Sequence, residues 1–189
     1  MVRFIPCINK PYAKKKMKLQ NACIALIGMP AVGKSTVGVL LAKQLGYEFL
    51  DTDILIQTQE NMTLPQIIKK KGLKGFLDIE ACHLLGLGGK RRVISTGGSV
   101  IYREQAMRHL KRIATVVYLH ADLPTLLTRL SDIEGRGVAI DPSSSIDKLY
   151  KERIPLYDKF CDIKIACGQN PPGRVAADIA AALAGRIDF

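Results

Sequence analysis

A stretch near the start of the chain has the residue types and spacing of a phosphate-binding loop. It runs Gly28-Met29-Pro30-Ala31-Val32-Gly33-Lys34-Ser35-Thr36 and fits the pattern Gly-x-x-x-x-Gly-Lys-Ser. In such a P-loop the glycines allow a tight turn whose backbone N–H groups face phosphate. The lysine reaches the β- and γ-phosphates, and the serine hydroxyl ligates Mg²⁺. The stretch therefore predicts a nucleotide-phosphate site, with a chance glycine-rich turn as the alternative.

The segments on either side favour the P-loop over the chance turn. The apolar run Cys23–Ile27 before it is typical of a buried strand. After it, Val37, Leu41 and Leu45 recur four residues apart, as on one face of a helix. Gly46 suits the C-terminal cap of that helix. A strand before and a helix after are the context that a P-loop requires.

The rest of the chain alternates between predicted strands and helices. Four further strands are predicted at residues 47–50, 91–96, 115–119 and 163–166. Residues 54–90 are predicted to be helical with breaks at Pro65, Gly72 and Gly75, a suitable insertion for binding an acceptor. Thr63 is the expected cap of a helix in this insertion, and Asp122 with Pro124 opens a later one.

Two carboxylates, Asp51 and Asp53, follow the second predicted strand. Parallel α/β sheets bind ligands at the carboxyl ends of their strands. Asp51 is therefore a candidate to hold Mg²⁺ through its water shell, and Asp53 is a candidate to face the acceptor. Both residues also precede the apolar run 54–56, so helix N-capping is the structural alternative, and for Asp53 alone the two interpretations are balanced.

Glycines and arginines later in the chain form a second set of candidates. Gly97-Gly98-Ser99 follows the third predicted strand, where adjacent glycines let a ligand meet bare backbone; a plain strand-to-helix turn is the alternative. Arg129 ends the helix after the fourth strand, and Arg136 follows seven residues later between two glycines. The segment around Arg136 is interpreted as a closing lid that brings an arginine to the γ-phosphate, or as an exposed surface loop.

Length and charge limit the classes of function. The 189 residues suit one domain, expected at 21–189 after a basic flexible arm at 1–20, with Met17 as an alternative start. No apolar run is long enough to span a membrane. The net charge of +11 predicts attraction of nucleotides and acidic metabolites. A nucleic-acid partner is the weakest interpretation, because the chain has no Trp and only 6% aromatic residues.

The spacing of the cysteines and histidines does not indicate a metal or redox site. The five cysteines form no Cys-x-x-Cys pair, which indicates reduced thiols and a cytoplasmic protein. The three histidines are scattered without metal-ligand spacing and are interpreted as structural or surface residues.

The ordered motifs resemble the shikimate kinase family, within the nucleoside monophosphate kinase group of P-loop proteins. The resemblance covers residues 24–183. It rests on the P-loop together with Leu50-Asp51-Thr52-Asp53, Phe76-Leu77-Asp78-Ile79-Glu80, Thr96-Gly97-Gly98-Ser99, the spacing from Arg129 to Arg136, and Arg153-Ile154-Pro155-Leu156-Tyr157.

This resemblance implies a fold and an activity. The fold is the three-layer α/β/α P-loop NTPase fold, with a five-stranded parallel sheet, helices on both faces and a mobile lid. The activity is transfer of the γ-phosphoryl group of ATP, with Mg²⁺, to a hydroxyl of shikimate, a step of aromatic amino-acid biosynthesis. The protein is then expected to be a monomer with a small-molecule acceptor and without nucleic-acid or membrane partners.

By the same resemblance, one set of residues serves the nucleotide. Lys34 stabilises the transferring phosphoryl group, Ser35 and Asp51 serve the metal, and Arg136 comes down onto the phosphates with the lid. The P-loop residues 28–36 surround the phosphates. The two sides of the adenine slot are assigned to Arg129 and Pro172.

A second set serves the acceptor. Asp53 holds the acceptor hydroxyl and is the candidate to take its proton. Gly97 and Gly98 line the pocket together with Ser99, and Arg153 pairs with the acceptor carboxylate.

The sequence departs from the family pattern in three places, all towards the acceptor. Leu77 stands where the family has an arginine that clamps the acceptor carboxylate, Ser99 replaces the third glycine of the pocket, and Gly137 replaces the proline after the lid arginine. Loss of a charge-assisted clamp would cost about 1.5–3 kcal/mol of binding, roughly ten- to a hundredfold in affinity.

The sequence therefore predicts an ATP-dependent small-molecule kinase with shikimate as the first acceptor to try. A kinase of another small hydroxy-acid or polyol, such as gluconate, is the enzymatic alternative. A non-catalytic ligand-sensing domain of the same fold is the alternative from another class. The residues Lys34, Ser35, Asp51, Asp53 and Arg136 favour an enzyme over a sensor.

Overall fold

The computed structural model describes residues 23–131 and 145–184, and every structural statement below concerns those ranges. The basic arm at 1–20 and the predicted lid with Arg136 and Gly137 lie outside the described residues. The elements in chain order are β1 Cys23–Ile27, α1 Lys34–Leu45, β2 Glu48–Asp51, α2 Thr52–Glu60, α3 Leu64–Leu85, β3 Arg92–Ser95, a short 3₁₀ helix Val100–Tyr102, α4 Glu104–Ile113, β4 Ala114–His120, α5 Leu123–Ser131, α6 Ile146–Phe160, β5 Ile163–Ala166 and α7 Pro172–Ala184.

The five strands form one parallel sheet in the order β2-β3-β1-β4-β5. At the centre, Ala25 of β1 lies between Ile94 of β3 and Val116 of β4. All five residues of β1 are buried, which is why its sequence is a continuous apolar run without polar alternation. The predicted fold class is confirmed, and each predicted strand is present to within one or two residues at its ends.

Helices cover both faces of the sheet. Helix α1 packs against α7, whereas α3 packs against α4, and α6 lies over β4 and the 3₁₀ helix. Right-handed crossovers between parallel strands place α1 and α7 on one face and α3, α4 and α6 on the other. Because every strand points the same way, the loops after β1, β2 and β3 meet at one edge of the sheet.

Local signals set most helix ends. Gly46 caps α1 at φ 65°, with its N–H donating to the Ala42 carbonyl, as predicted. At the start of α3, the Thr63 N–H donates to the Gln66 side chain (2.8 Å), and Pro65 lies in the first turn, where its missing N–H costs nothing. Asp122 caps α5 by accepting from the Thr125 N–H (3.1 Å).

One predicted break is confirmed and another is wrong. Gly72 has non-helical angles (φ 71°, ψ 169°) and kinks α3. Gly75 lies inside the helix, which continues through it to Leu85, because Phe76 and Leu84 on the following turns are buried and hold that part of α3 in place. The insertion 54–90 is therefore α2 followed by one long kinked helix. None of the described helices combines the length and apolar character that crossing a bilayer requires.

Candidate active site

The P-loop adopts a shape that its glycines make possible. Gly28 has φ 148°, and a Cβ there would lie 2.5 Å from the Leu119 carbonyl oxygen of β4. Gly33 caps α1 at φ 100°, and Ala31 also has a positive φ of 61°. The chain therefore turns tightly from β1 into α1, and the N-terminus of a twelve-residue helix lies at the end of the loop.

Lys34, the first residue of α1, folds back over this loop. Its Nζ donates hydrogen bonds to the carbonyl oxygens of Gly28 and Met29, both at 3.0 Å. Burial lowers the pKa of the Lys34 ammonium to about 8, while the negative charge of Asp53 opposes that effect. The ammonium is thus held at the loop and within electrostatic reach of Asp53.

Ser35 and Asp51 form a contact between α1 and the end of β2. The Ser35 hydroxyl lies 2.6 Å from the Asp51 Oδ2 and 3.3 Å from the Ser95 hydroxyl of β3. Asp51 Oδ1 accepts from the N–H groups of Asp53 (3.0 Å) and Ile54 (3.4 Å). The capping interpretation is therefore right for Asp51, whose second oxygen remains directed at Ser35.

Asp53 does not cap the helix. Its Oδ1 is buried and has no hydrogen-bond partner among the described residues. Burial raises the pKa of the Asp53 carboxyl; the charge of Asp51 acts in the same direction, and that of Lys34 opposes it. The Oδ1 lies beside Gly97, where a Cβ would be 3.0 Å away. The two aspartates, for which the sequence predicted different roles, therefore differ in their hydrogen bonding: Asp51 caps the helix, whereas Asp53 keeps an unpaired oxygen.

The turn after β3 lies close to the start of α2, to α3, to the P-loop and to α6. The Gly97 N–H donates to the buried Thr52 hydroxyl (3.1 Å), which joins this turn to the start of α2. A Cβ on Gly97 would collide with Glu80 Oε1, so only glycine lets the two carboxylates approach this point. Gly98 lies between the P-loop and α6: a Cβ there would be 3.3 Å from Pro30 Cδ and 3.1 Å from Arg153 Nη1.

Arg153 is buried under this turn, with 8% of its surface exposed. Its Nε donates to the Tyr102 hydroxyl (3.1 Å), and its guanidinium lies over the Tyr102 ring. The Tyr157 hydroxyl, one turn along α6, donates to the Gly98 carbonyl (2.7 Å). Sequence reasoning selected Arg153 but missed Tyr102, which is 51 residues from Arg153, and Tyr157, which bonds to Gly98 across 59 residues of the chain.

Glu80 is the main site residue that sequence reasoning missed. It is 1% exposed, its Oε2 accepts from the Ser99 hydroxyl (2.8 Å), and its Oε1 has no partner among the described residues. Burial raises the pKa of Glu80 to about 7, and the Ser99 hydrogen bond opposes that rise. The available signal was a glutamate one helical turn after Leu77, on the same side of α3 as buried Phe76 and Leu84.

Leu77 and the adenine-slot residues lie in different surroundings. Leu77 is partly buried and packs against the small apolar cluster of Ile56, Ile67 and Phe76 between α2 and α3. Arg129 donates to the carbonyl oxygens of Val32 (3.1 Å) and Gly168 (2.5 Å), so it ties the P-loop to the loop after β5. Pro172 is exposed and is the first residue of α7, which follows that loop.

The arrangement has two adjacent parts at one sheet edge. The first, which we call the nucleotide half, is the P-loop with Ser35, Asp51, Arg129 and Pro172. The second, the acceptor half, comprises Asp53, Glu80, the turn 97–99 and Arg153. A phosphate cradle next to buried carboxylates and a guanidinium defines a P-loop phosphotransferase that acts on a small molecule.

Comparison with known proteins narrows this class to a family. A family model described as shikimate kinase matches residues 30–184. The chain is 37% identical over 163 residues to a shikimate kinase of Aquifex aeolicus (strain VF5), across 86% of this chain and 96% of that relative. It is 36% identical to a shikimate kinase of Rhodopseudomonas palustris (strain ATCC BAA-98 / CGA009), across 85% of this chain and 80% of that one. The chain belongs to the shikimate kinase family and is an ATP-dependent kinase.

Solved structures agree with this assignment. A shikimate kinase from Acinetobacter baumannii in complex with shikimate aligns with a TM-score of 0.80 at 31% identity, over 90% of this chain and 97% of that chain. A gluconokinase from Sinorhizobium meliloti 1021 aligns with a TM-score of 0.53 at 17% identity, over 91% of this chain and 100% of that chain. The second match shows the shared fold alone.

Proposed function

We propose that the chain transfers the γ-phosphoryl group of ATP to a hydroxyl of shikimate, with each half of the site in a separate role. The observation that supports this most is the crowding around Gly98, where a Cβ would lie 3.3 Å from Pro30 Cδ of the P-loop and 3.1 Å from Arg153 Nη1. The phosphate cradle and the candidate carboxylate clamp are therefore neighbours, as a direct transfer between two bound molecules requires.

On the nucleotide side, the residues present fit a phosphate chain with Mg²⁺. The P-loop N–H groups and the Lys34 ammonium would hold the phosphates and stabilise the charge on the transferring group. The Ser35 hydroxyl and the Asp51 carboxylate, 2.6 Å apart, are hard oxygen donors that suit Mg²⁺. When bound, Mg²⁺ supplies positive charge to the phosphate oxygens.

On the acceptor side, Asp53 and Arg153 would fix the substrate. The unpartnered Asp53 Oδ1 would accept a hydrogen bond from the attacking hydroxyl and take its proton. Arg153, already oriented by Tyr102, would pair with the carboxylate of the acceptor. We further propose that residues 21–189 act as one domain, because the five described strands form a single sheet, and that the protein is a monomer; sedimentation at micromolar concentration tests the oligomeric state.

The test is a direct assay of acceptor phosphorylation. Purified protein with Mg·ATP is supplied with shikimate, with gluconate and with other small hydroxy-acids and polyols, and the products are identified by ³¹P NMR. We expect a phosphate monoester from shikimate. Turnover of another acceptor with no product from shikimate would overturn the acceptor and favour the hydroxy-acid or polyol alternative. No turnover with any acceptor would favour the ligand-sensing alternative.

A pair of arginine variants tests the proposed clamp. Arg153→Gln is expected to raise the KM for shikimate about ten- to a hundredfold while the KM for ATP stays within about twofold of the parent. Arg108→Gln is the matched control, because Arg108 is exposed on α4 and pairs with Glu104 on the same helix. Equal changes in both KM values for Arg153→Gln would contradict a role specific to the acceptor.

A further inference from the structure

The hydrogen bond between Ser99 and Glu80 has no evident structural task. Ser99 precedes the 3₁₀ helix but makes no capping hydrogen bond with its side chain. Its hydroxyl instead donates to Glu80 Oε2 of α3, 19 residues away along the chain, at 2.8 Å. The other carboxylate oxygen, Oε1, is buried, has no partner among the described residues and lies beside Gly97.

A buried carboxylate with an unpaired oxygen, such as Glu80, lowers the stability of the fold. A residue with a purely structural role is not expected to carry that cost. An unpartnered oxygen of a buried polar group costs about 1–3 kcal/mol, and a charged one costs more. Asp53 Oδ1 has the same character and lies beside the same glycine. Two unpartnered carboxylate oxygens therefore converge on one point of the acceptor half, an arrangement that suits a ligand with two hydrogen-bond donors.

We propose that Ser99 is a positioning residue for the acceptor: its hydroxyl holds the Glu80 carboxylate so that Oε1 accepts a hydrogen bond from a second donor group of the substrate. This inference rests on the proposed function, in which Asp53 binds the attacking hydroxyl. It also offers a physical reason for two departures from the family pattern, Leu77 and Ser99. Leu77, one turn before Glu80, provides no positive charge for this carboxylate, and Ser99 of the turn after β3 provides a neutral donor.

The charges around Glu80 determine what removal of the hydroxyl should do. Asp53 disfavours the ionised form, whereas Arg153 and Lys34 favour it, and the Ser99 hydroxyl favours it by hydrogen bonding. Tyr157 of α6 also lies within electrostatic range of Glu80. Removing the hydroxyl leaves these charges in place but withdraws one stabilising donor, so the pKa of Glu80 should rise above about 7.

The kinetic experiment compares the parent with Ser99→Ala and Ser99→Thr between pH 6 and pH 9. If the pKa of Glu80 rises by about one pH unit in Ser99→Ala, kcat/KM for shikimate should fall about eightfold at pH 6.5 and only about 1.1-fold at pH 9. Ser99→Thr retains the hydroxyl and should follow the parent at every pH. The Kd for ATP should be the same in all three proteins. A loss in Ser99→Ala that is equal at all pH values, or one that threonine does not rescue, would overturn the inference.

A second measurement needs no acceptor. The carboxyl carbon of Glu80, assigned by its disappearance in Glu80→Gln, is titrated by ¹³C NMR in the parent and in Ser99→Ala. A higher pKa in Ser99→Ala supports the inference, and equal pKa values overturn it whatever the substrate. If the parent does not phosphorylate shikimate, the proposed acceptor is wrong, and this titration still decides whether Ser99 controls Glu80.

Discussion

The nucleotide half and the acceptor half of the site differ in how their polar groups are satisfied. In the nucleotide half, Lys34 bonds to two loop carbonyls, Arg129 bonds to two more, and Asp51 both caps a helix and meets Ser35. In the acceptor half, Asp53 and Glu80 each keep a buried oxygen without a partner among the described residues.

This difference indicates how each half meets its ligand. The P-loop backbone has the tight turn and the helix N-terminus that suit a phosphate chain. The acceptor half instead retains unpaired hydrogen-bonding capacity, which a ligand with matching donors would complete. Selectivity for the acceptor should therefore depend on a few side chains, and the variants below test each half separately.

The largest effect is expected from Lys34→Ala in the nucleotide half. We expect kcat to fall by about a thousandfold or more, because the ammonium is needed for charge stabilisation in the transition state. The fold should persist, since within the described residues the Nζ hydrogen bonds go to carbonyls of the same loop. Steady-state turnover and circular dichroism are the measurements. Turnover within a few-fold of the parent would refute the assignment of Lys34.

Asp53→Asn tests whether the two neighbouring aspartates belong to different halves. We expect kcat to fall by about a hundredfold, because an amide retains the size of the side chain but cannot accept a proton. The affinity for ATP and the Mg²⁺ dependence should stay close to those of the parent. Asp51→Asn is the matched control and should raise the Mg²⁺ concentration needed for half-maximal rate. If nucleotide titration shows that Asp53→Asn binds ATP much more weakly, the division of roles is wrong.

Glu80→Gln tests the cost of the unpaired carboxylate through stability. The folded pKa of Glu80, about 7, is above its ordinary value of 4.5, so its contribution to stability is full below about pH 4.5 and is lost as the pH rises through 7. At pH 8 the variant should therefore be more stable than the parent by roughly 2–3 kcal/mol, with the difference shrinking towards pH 4.5. Urea unfolding at several pH values measures this. A Glu80→Gln curve parallel to that of the parent would contradict the raised pKa.

The smallest effect is expected from Leu77→Arg. A guanidinium on this turn of α3 should add a charge-assisted contact for the acceptor carboxylate and lower the KM for shikimate several-fold. Leu73→Arg, one turn earlier at an exposed position, is the control and should leave the KM unchanged. An unchanged or higher KM for Leu77→Arg would show that Leu77 only packs against the cluster of Ile56, Ile67 and Phe76.

The sequence was informative where structure depends on neighbours along the chain. The buried strand β1, the P-loop, the cap at Gly46 and the core face of α7 all follow from patterns within about a dozen residues. It was less informative at Gly75, where tertiary packing of the following turns outweighs the poor helix propensity of glycine.

The amino-acid sequence by itself therefore determined the order of strands and helices, the phosphate cradle and the family, because backbone geometry and apolar periodicity are local properties. Only the tertiary structure decided which buried groups are left unpaired. Glu80 bonds to Ser99, 19 residues away along the chain, and Arg153 bonds to Tyr102, 51 residues away. These residues come into contact only when the strands assemble in the order β2-β3-β1-β4-β5. The same assembly makes Asp51 and Asp53 differ. The two carboxylate oxygens of Asp51 bond to the start of α2 and to Ser35, whereas Asp53 is buried beside Gly97 and its Oδ1 has no partner among the described residues.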